Sequence, residues 1–469
     1  MSLSSIPSGP FRVVEHIVEC QHIREYPAAT ANGQEDVLNL VVKQYIPLDN
    51  PNPQPGDVTI LAAHANGFPK ELYEPLWEEL YARSKANGFR IRSIWMADVA
   101  HQGESSVVNE HLLGNDRMKP ILFFAHHFPR PTLTRVHIAS WFDHPRDLLH
   151  LINVKRKEMP RPIVGIGHSM GGAHLAQLCL MHPRLIHSLV LLDPVIQRES
   201  TQLDGLEMAM RQRQRIAKTT QLSTYRRDTW PSRKAAAEAF KKNPFYLAWD
   251  SRVLDRWIEH GLRELPTAIH PLDESQQKEG SNDRPVTLRT TLHQEVFTFS
   301  RPNYDGPPGK KVPVNKVTHP DLNPDHLGSW PFYRPEPSRV FAMLPHLRPS
   351  VCYIFGGKSD MCLPDMMADK MAATGTGLGG SGGAPAGRVR DVYLAEYGHL
   401  LAQEAPQECA DAASKWLGAE LERWRAEERE FQEQWSRKSK VEKVTIDSRW
   451  KDHVPRPERP KKNPAQPKL

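Results

Sequence analysis

A chain of 469 residues, 39% hydrophobic and 25% charged, is long enough to bury a large core. It holds no apolar run near the roughly 18 residues of a membrane span. The formal charge of +6 sits almost entirely in residues 437–469, with eleven Lys or Arg against four Asp or Glu, so a folded basic face for nucleic acid is not indicated. The five cysteines, Cys20, Cys179, Cys352, Cys362 and Cys409, are scattered and form no CxxC pair, which argues against a disulfide framework or zinc and for a reducing compartment. The opening MSLSSIPSGPFRVVEHIVEC lacks the basic start and apolar core of a secretory signal. Nothing in the pattern asks for a metal or a cofactor.

In chain order, residues 12–20 and 37–45 read as strands, and 58–63 as a third that ends at HANGFPKE. A helical pattern over 71–86 follows, then a strand over 91–96 that ends in the small, polar loop ADVAHQGESS. Past a proline-broken, His-rich stretch (119–137), HPRDLLHLINVKRK predicts a helix. It is followed by a strand over 162–166, a helix over 171–181 and a strand over 188–192. Strand and helix alternating at βαβ spacing imply an α/β fold with a mostly parallel central sheet flanked by helices. The alternation then stops for about 150 residues. Helical segments over 205–219, 232–242 and 251–264 precede a Pro- and His-rich stretch, and strands over 351–355 and 389–394 resume the earlier style. The economical organisation is a core over 1–195, a large, mainly helical cap over 196–345 inserted between core strands, and a second core part over 346–436. The glycine-rich run 374–387 reads as a flexible surface loop. A helix over 406–435 leads to a basic tail, 437–469, that reads as disordered.

Gly167-His168-Ser169-Met170-Gly171 matches G-x-S-x-G with a strand before it and a helix after it, the context that gives the motif meaning. A turn this sharp strains the serine and requires neighbours without bulk, which Gly167, Gly171 and Gly172 supply. The Ser169 hydroxyl would stand at the positive end of a helix, where the Met170 N–H can meet a developing oxyanion. A serine needs a base. His399 in EYGHLLAQEAP, after the last strand and before the last helix, is the best placed of 22 histidines. His168, next to the serine, reads as structural. Two acids suit the order Ser, Asp, His: Asp360 in FGGKSDMCLP, after strand 351–355, and Asp193 in LVLLDP, after the strand that follows the nucleophile helix. The second oxyanion donor is expected from HANGFPKE, with the backbone N–H of Asn66 as the choice and Gly67 leaving room beside it. Serine in place of aspartate at the nucleophile position argues for acyl transfer to water.

The pieces HANGFPKELYEPLW, SWFDHPRDLL, GHSMGG, LLDP, DTWPSRKAAAEAF with WDSRVLDRWIEHGLR, FGGKS and YGH give the chain a resemblance to the α/β-hydrolases. In particular it resembles the fungal peroxisomal hydrolases of toxin and mycophenolic-acid biosynthesis, with the yeast peroxisomal lipase as a relative. The pieces span most of residues 10–435, though only GHSMGG with YGH is specific to the chemistry. The resemblance implies a Ser-His-Asp hydrolase of acyl-CoA type and favours Asp193 as the acid, with Asp360 retained. It also implies residence in the peroxisomal matrix, because Pro467-Lys468-Leu469 is a variant of the Ser-Lys-Leu signal read by the peroxisomal import receptor. Residues 119–137, the glycine run and the basic tail depart from the family pattern.

Two other functions fit the same residues: a lipase or carboxylesterase whose cap is an apolar lid, and a non-catalytic binding protein on a hydrolase scaffold. The intact set of Ser169, His399 and two aspartates speaks against the second. Eleven basic against five acidic residues over 198–242 suggest either attraction of coenzyme A phosphates or, more simply, solvated helix faces.

Overall fold

The computed structural model describes residues 2–114, 139–199, 214, 218–272, 284–303, 316, 319–323, 331–361 and 363–458. Two compact units are present, one up to Leu421 and one from Glu422 onward. The first is built on a nine-stranded sheet: β1 (Ser2–Ser8), β2 (Phe11–Glu19), β3 (Asn39–Pro47), β4 (Val58–Ala63), β5 (Ile91–Ala97), β6 (Ile163–His168), β7 (Ser188–Leu192), β13 (Ser350–Gly356) and β14 (Val389–Leu394). The spatial order is β1-β2-β3-β5-β4-β6-β7-β13-β14. The first three strands pair antiparallel along one edge. All pairings from β5 to β14 are parallel.

Every residue of β4, β6, β7 and β13 is buried, as strands covered on both faces must be. Their side chains divide between two clusters. One lies beneath α1 (Glu74–Ser84) and the part of helix Pro406–Ser436 up to Leu421, with Trp77, Leu80 and Leu417; the other lies beneath α3 (Asp143–Val154) and α4 (Met170–Met181), with Trp95, Leu148 and Leu175. Because the central strands are parallel, β4, β5, β6, β7, β13 and β14 end on the same edge. That edge carries the loops with all the candidate residues.

The segment between β7 and β13, where a cap is expected, holds helices Arg233–Phe240, Ser251–His260 and Leu292–Phe299, a small sheet of β8 (Thr229–Trp230), β10 (Val286–Leu288) and β9 (Leu262–Glu264), and an antiparallel pair, β11 (Arg301–Pro302) and β12 (Phe332–Tyr333). The expected helix over 251–264 therefore stops early. Gly261 sits so close to the Trp257 ring that a Cβ there would meet it at 2.4 Å, and the chain turns into β9. Most of the expected helix over 205–219 lies outside the described residues, as do residues 119–137 and the terminal Pro-Lys-Leu.

Two further expectations are corrected. The polar loop after β5 contains a short helix, α2 (Gly103–Val108). The glycine-rich run is tied down: Gly375, Gly377 and Ser381 donate backbone hydrogen bonds to Leu344, Pro345 and Leu347, and Gly382 bonds back to Gly375. Positive φ at Gly375, Gly379, Gly382, Gly383 and Gly387 explains the composition, because the run spends its glycines on tight turns rather than on mobility. In the second unit, residues 437–458 carry one short helix, Trp450–His453, and are almost entirely exposed.

Burial holds five imidazoles of the first unit, His64, His101, His144, His168 and His174, neutral and below the usual histidine range, down to about 3 for His101 and His168. The unfolded chain binds protons at these sites below pH 6.5 and the folded chain does not. Their contribution to stability is therefore intact above 6.5 and drains away as pH falls, by up to about 1.4 kcal/mol per pH unit for each group. The urea midpoint is expected to hold steady from pH 8 to 7 and to drop steeply between pH 6.5 and 4.5. An unchanged midpoint at pH 4.5 would contradict this.

Candidate active site

Ser169 occupies the junction of β6 and α4 with φ 56° and ψ −117°, a conformation that L-residues avoid. Three close approaches leave the chain little alternative. A Cβ on Gly167 would meet the Gly171 carbonyl at 2.6 Å, one on Gly171 would meet the Ala63 carbonyl oxygen at 2.2 Å, and one on Gly172 would meet Pro194 at 2.7 Å. Backbone hydrogen bonds from Ser169 N–H to Leu192 and from Val195 N–H to Ser169 fasten the turn to the end of β7. The contact at Gly171 presses the N-terminus of α4 against the end of β4. It thereby brings the start of α4 beside the loop that begins at His64.

The Ser169 hydroxyl lies 2.8 Å from His399 Nε2, and His399 Nδ1 lies 2.5 Å from Asp193 Oδ2. With Nδ1–H donating to the carboxylate, Nε2 is left as the acceptor for the serine proton. Asp193 is wholly buried and has φ 40°. Its other contacts come from the loop after β13: Ser359 Oγ donates to Oδ2 at 2.5 Å, and the Gly356 N–H approaches Oδ1 at 3.4 Å. Of the two candidate acids, Asp193 touches the imidazole. Asp360 is exposed and acts on His399 through space by its charge. No local signal marks Ser359, beside Asp360, as the residue of that loop that reaches the site.

Burial opposes protonation of His399, but the hydrogen bond and charge of Asp193, then the charges of Asp360 and Glu404, outweigh it and raise its pKa above the ordinary value. The side chain stays about a quarter exposed (26%).

His168 lies under the base. Its Nε2 is 2.9 Å from the His399 carbonyl and its Nδ1 is 2.8 Å from the Tyr73 hydroxyl. A carbonyl only accepts, so Nε2 carries the proton and Tyr73 donates to Nδ1. Tyr73 in turn accepts the Ala65 N–H at 2.8 Å. One buried chain thus joins the loop after β4, the residue before the serine and the backbone of the base.

That loop is set from several directions. His64 accepts the Val99 N–H at Nε2. Asn66 uses both ends of its side-chain amide, Nδ2 to the Glu295 carbonyl at 3.0 Å and Oδ1 to Gln102 Nε2 at 2.7 Å. Gly67 has φ 84°, and a Cβ there would meet the Glu295 carboxylate at 2.8 Å. Phe68 packs edge-on against Trp249 and Trp257 of the cap.

The sequence matches the alpha/beta hydrolase family over residues 60–412. The chain belongs to that family. Among its relatives are two type I acyl-CoA thioesterases. One is mpaH' of Penicillium brevicompactum, 38% identical over 449 residues and 94% of each chain. The other is mpaH of Penicillium roqueforti, 38% identical over 441 residues, 92% of this chain and 93% of that one. A shorter match, 28% identical over 265 residues, covers 55% of this chain and 84% of the abhydrolase domain-containing protein AKT2 of Alternaria alternata. Among solved structures, the peroxisomal alpha-beta-hydrolase Lpx1 of Saccharomyces cerevisiae superposes with a TM-score of 0.58 over 88% of this chain and 90% of that one. At 15% identity the likeness is one of fold. This member of the family is accordingly a hydrolase of the esterase and thioesterase class. No helix among the described residues is long and apolar enough to cross a membrane.

The raised pKa is measurable without a substrate. In histidine-labelled protein the His399 imidazole should titrate above 6.5. Asp193→Asn, which removes both the hydrogen bond and the charge, should lower its pKa, and Asp360→Asn should lower it much less. Equal shifts in the two variants would remove the distinction drawn between the acids.

Proposed function

We propose that the protein hydrolyses an acyl-CoA thioester through an acyl-enzyme on Ser169, with His399 as base, Asp193 as the acid that orients it, and the backbone N–H groups of Met170 and Asn66 as the oxyanion hole. The observation that carries the mechanism is the unbroken hydrogen-bond relay from the Ser169 hydroxyl through His399 to the buried Asp193. What favours a thioester is the full-length similarity to two acyl-CoA thioesterases.

His399 Nε2 takes the hydroxyl proton as Ser169 Oγ bonds to the thioester carbon. The carbonyl π electrons pass to oxygen, and the anion sits between two N–H donors, one at the helix N-terminus and one in the loop after β4. When the tetrahedral species collapses, the C–S bond breaks and the thiolate leaves with the proton held by His399. Water then enters, gives a proton to His399 as its oxygen bonds to the acyl carbon, and the carboxylic acid departs from Ser169 as that proton returns to Oγ. Asp193 keeps its charge throughout and stabilises the imidazolium.

The basic residues of the cap support the phosphate-attracting role weakly. Arg226 pairs with Glu295, Arg227 binds the Thr229 carbonyl and lies over Trp230, and Arg233 binds the carbonyls of Ile258 and Glu259. These three are engaged in holding the cap together. Delivery to peroxisomes through Pro467-Lys468-Leu469, read by the import receptor, belongs to the same proposal.

A fluorophosphonate probe should label the wild-type protein and fail to label Ser169→Ala. Against a panel of acyl-CoAs and p-nitrophenyl esters, Asp193→Asn should lose about 10⁴-fold in kcat while Asp360→Asn stays within a few-fold. Hydrolysis of esters with no turnover of any acyl-CoA would move the assignment to a carboxylesterase or lipase. In cells, a fluorescent protein carrying residues 458–469 should collect in peroxisomes and become diffuse when the last three residues are removed. Diffuse signal from both forms would exclude that route.

A further inference from the structure

We infer that Gln102 is a positioning residue that sets the oxyanion loop and ties it to the cap, an inference that rests on the role proposed for the Asn66 N–H. Gln102 lies in the loop after β5 and is fully buried. Its Oε1 accepts the Gly67 N–H at 2.8 Å, and its Nε2 donates to Asn66 Oδ1 at 2.7 Å and to Thr298 Oγ1 at 3.1 Å.

The proton inventory allows one arrangement of these groups. A backbone N–H only donates, so Gln102 must turn its oxygen to Gly67 and its amino group to Asn66. Asn66 must then turn its oxygen to Gln102 and its amino group to the Glu295 carbonyl. Thr298 spends its hydroxyl proton on the Gln294 carbonyl at 2.7 Å, which leaves its oxygen to accept from Gln102 and from His101 Nε2 at 2.9 Å.

The Asn66–Gly67 peptide is thus gripped from both sides: by Gln102 at the Gly67 N–H and the Asn66 side chain, and by the cap helix Leu292–Phe299 through Glu295 and Thr298. The plane of that peptide and the peptide before it decide where the Asn66 N–H points. Displacing a donor by even part of an ångström weakens its hold on an anion that exists only in the transition state. Gln102 would touch no reacting atom. Its effect should therefore fall on the chemical step and spare both substrate binding and the base.

Labelling kinetics with a fluorophosphonate test this without knowledge of the natural acyl group, because the phosphoryl oxygen occupies the same hole. In Gln102→Leu, kinact should fall about tenfold to a hundredfold, with KI within twofold of wild type and the acidic limb of the pH profile unmoved. Thr298→Val, which keeps the Gly67 contact and cuts the bond from Gln102 to the cap helix, should show the same split at about threefold. If Gln102→Leu does not fold, Thr298→Val decides alone. A kinact within twofold of wild type in Gln102→Leu, no change at all in Thr298→Val, or a loss shared equally by kinact and KI would overturn the inference. Undiminished labelling of Ser169→Ala would instead refute the reading of the nucleophile.

Discussion

The contact between Gly171 and the carbonyls of Ala63 and His64 is the constraint on which the rest of the site depends. Two backbones meet there with no room for a methyl group, so helix α4 starts hard against the end of β4. Two things follow from that closeness. The turn into the helix must be sharp, which forces Ser169 into positive φ, and the start of α4 lies beside the loop after β4. A larger residue at 171 would separate the two halves of the candidate oxyanion hole before it touched the serine.

His399 is held by an arrangement of a different kind. Its ring is fixed by Asp193 and its backbone by His168, and each of these is anchored in turn, Asp193 by Ser359 and Gly356, His168 by Tyr73. The ends of β6, β7, β13 and β14 and the segment after β4 all contribute to this cluster. The parallel sheet supplies the precision, because adjacent strand ends keep a fixed spacing of about 4.8 Å and the side chains have only short distances left to span.

Much of this was legible in the sequence, because the signals were local. Strands β4, β7 and β14 begin and end where the apolar runs do, and the glycines around Ser169 announce the turn that needs them. The choice between Asp193 and Asp360 was not local. Both follow a parallel strand on the same sheet edge, and only the path of the chain after β13 decides that Ser359 turns inward while Asp360 faces out. Gln102 and Tyr73 were missed for a related reason: a neutral hydrogen-bonding side chain in a loop or a helical turn leaves no periodic trace. The glycine-rich run misled in the opposite direction, since composition cannot separate glycines that confer mobility from glycines that make tight turns possible. Strand β1 was also missed, its polar SLSSIPS lying at the sheet edge where the pattern of a buried strand is absent.

His168 gives the second position of the G-x-S-x-G motif a meaning of its own. Because its protonated nitrogen serves the carbonyl of the base and its bare nitrogen serves Tyr73, the residue is matched to a partner 95 positions earlier rather than to the serine beside it. A residue that donates to the His399 carbonyl and offers nothing to Tyr73 strands a buried hydroxyl, and one that does the reverse frees the base. A replacement at 168 therefore has two separate partners to satisfy, and a change at 73 alters what is asked of 168.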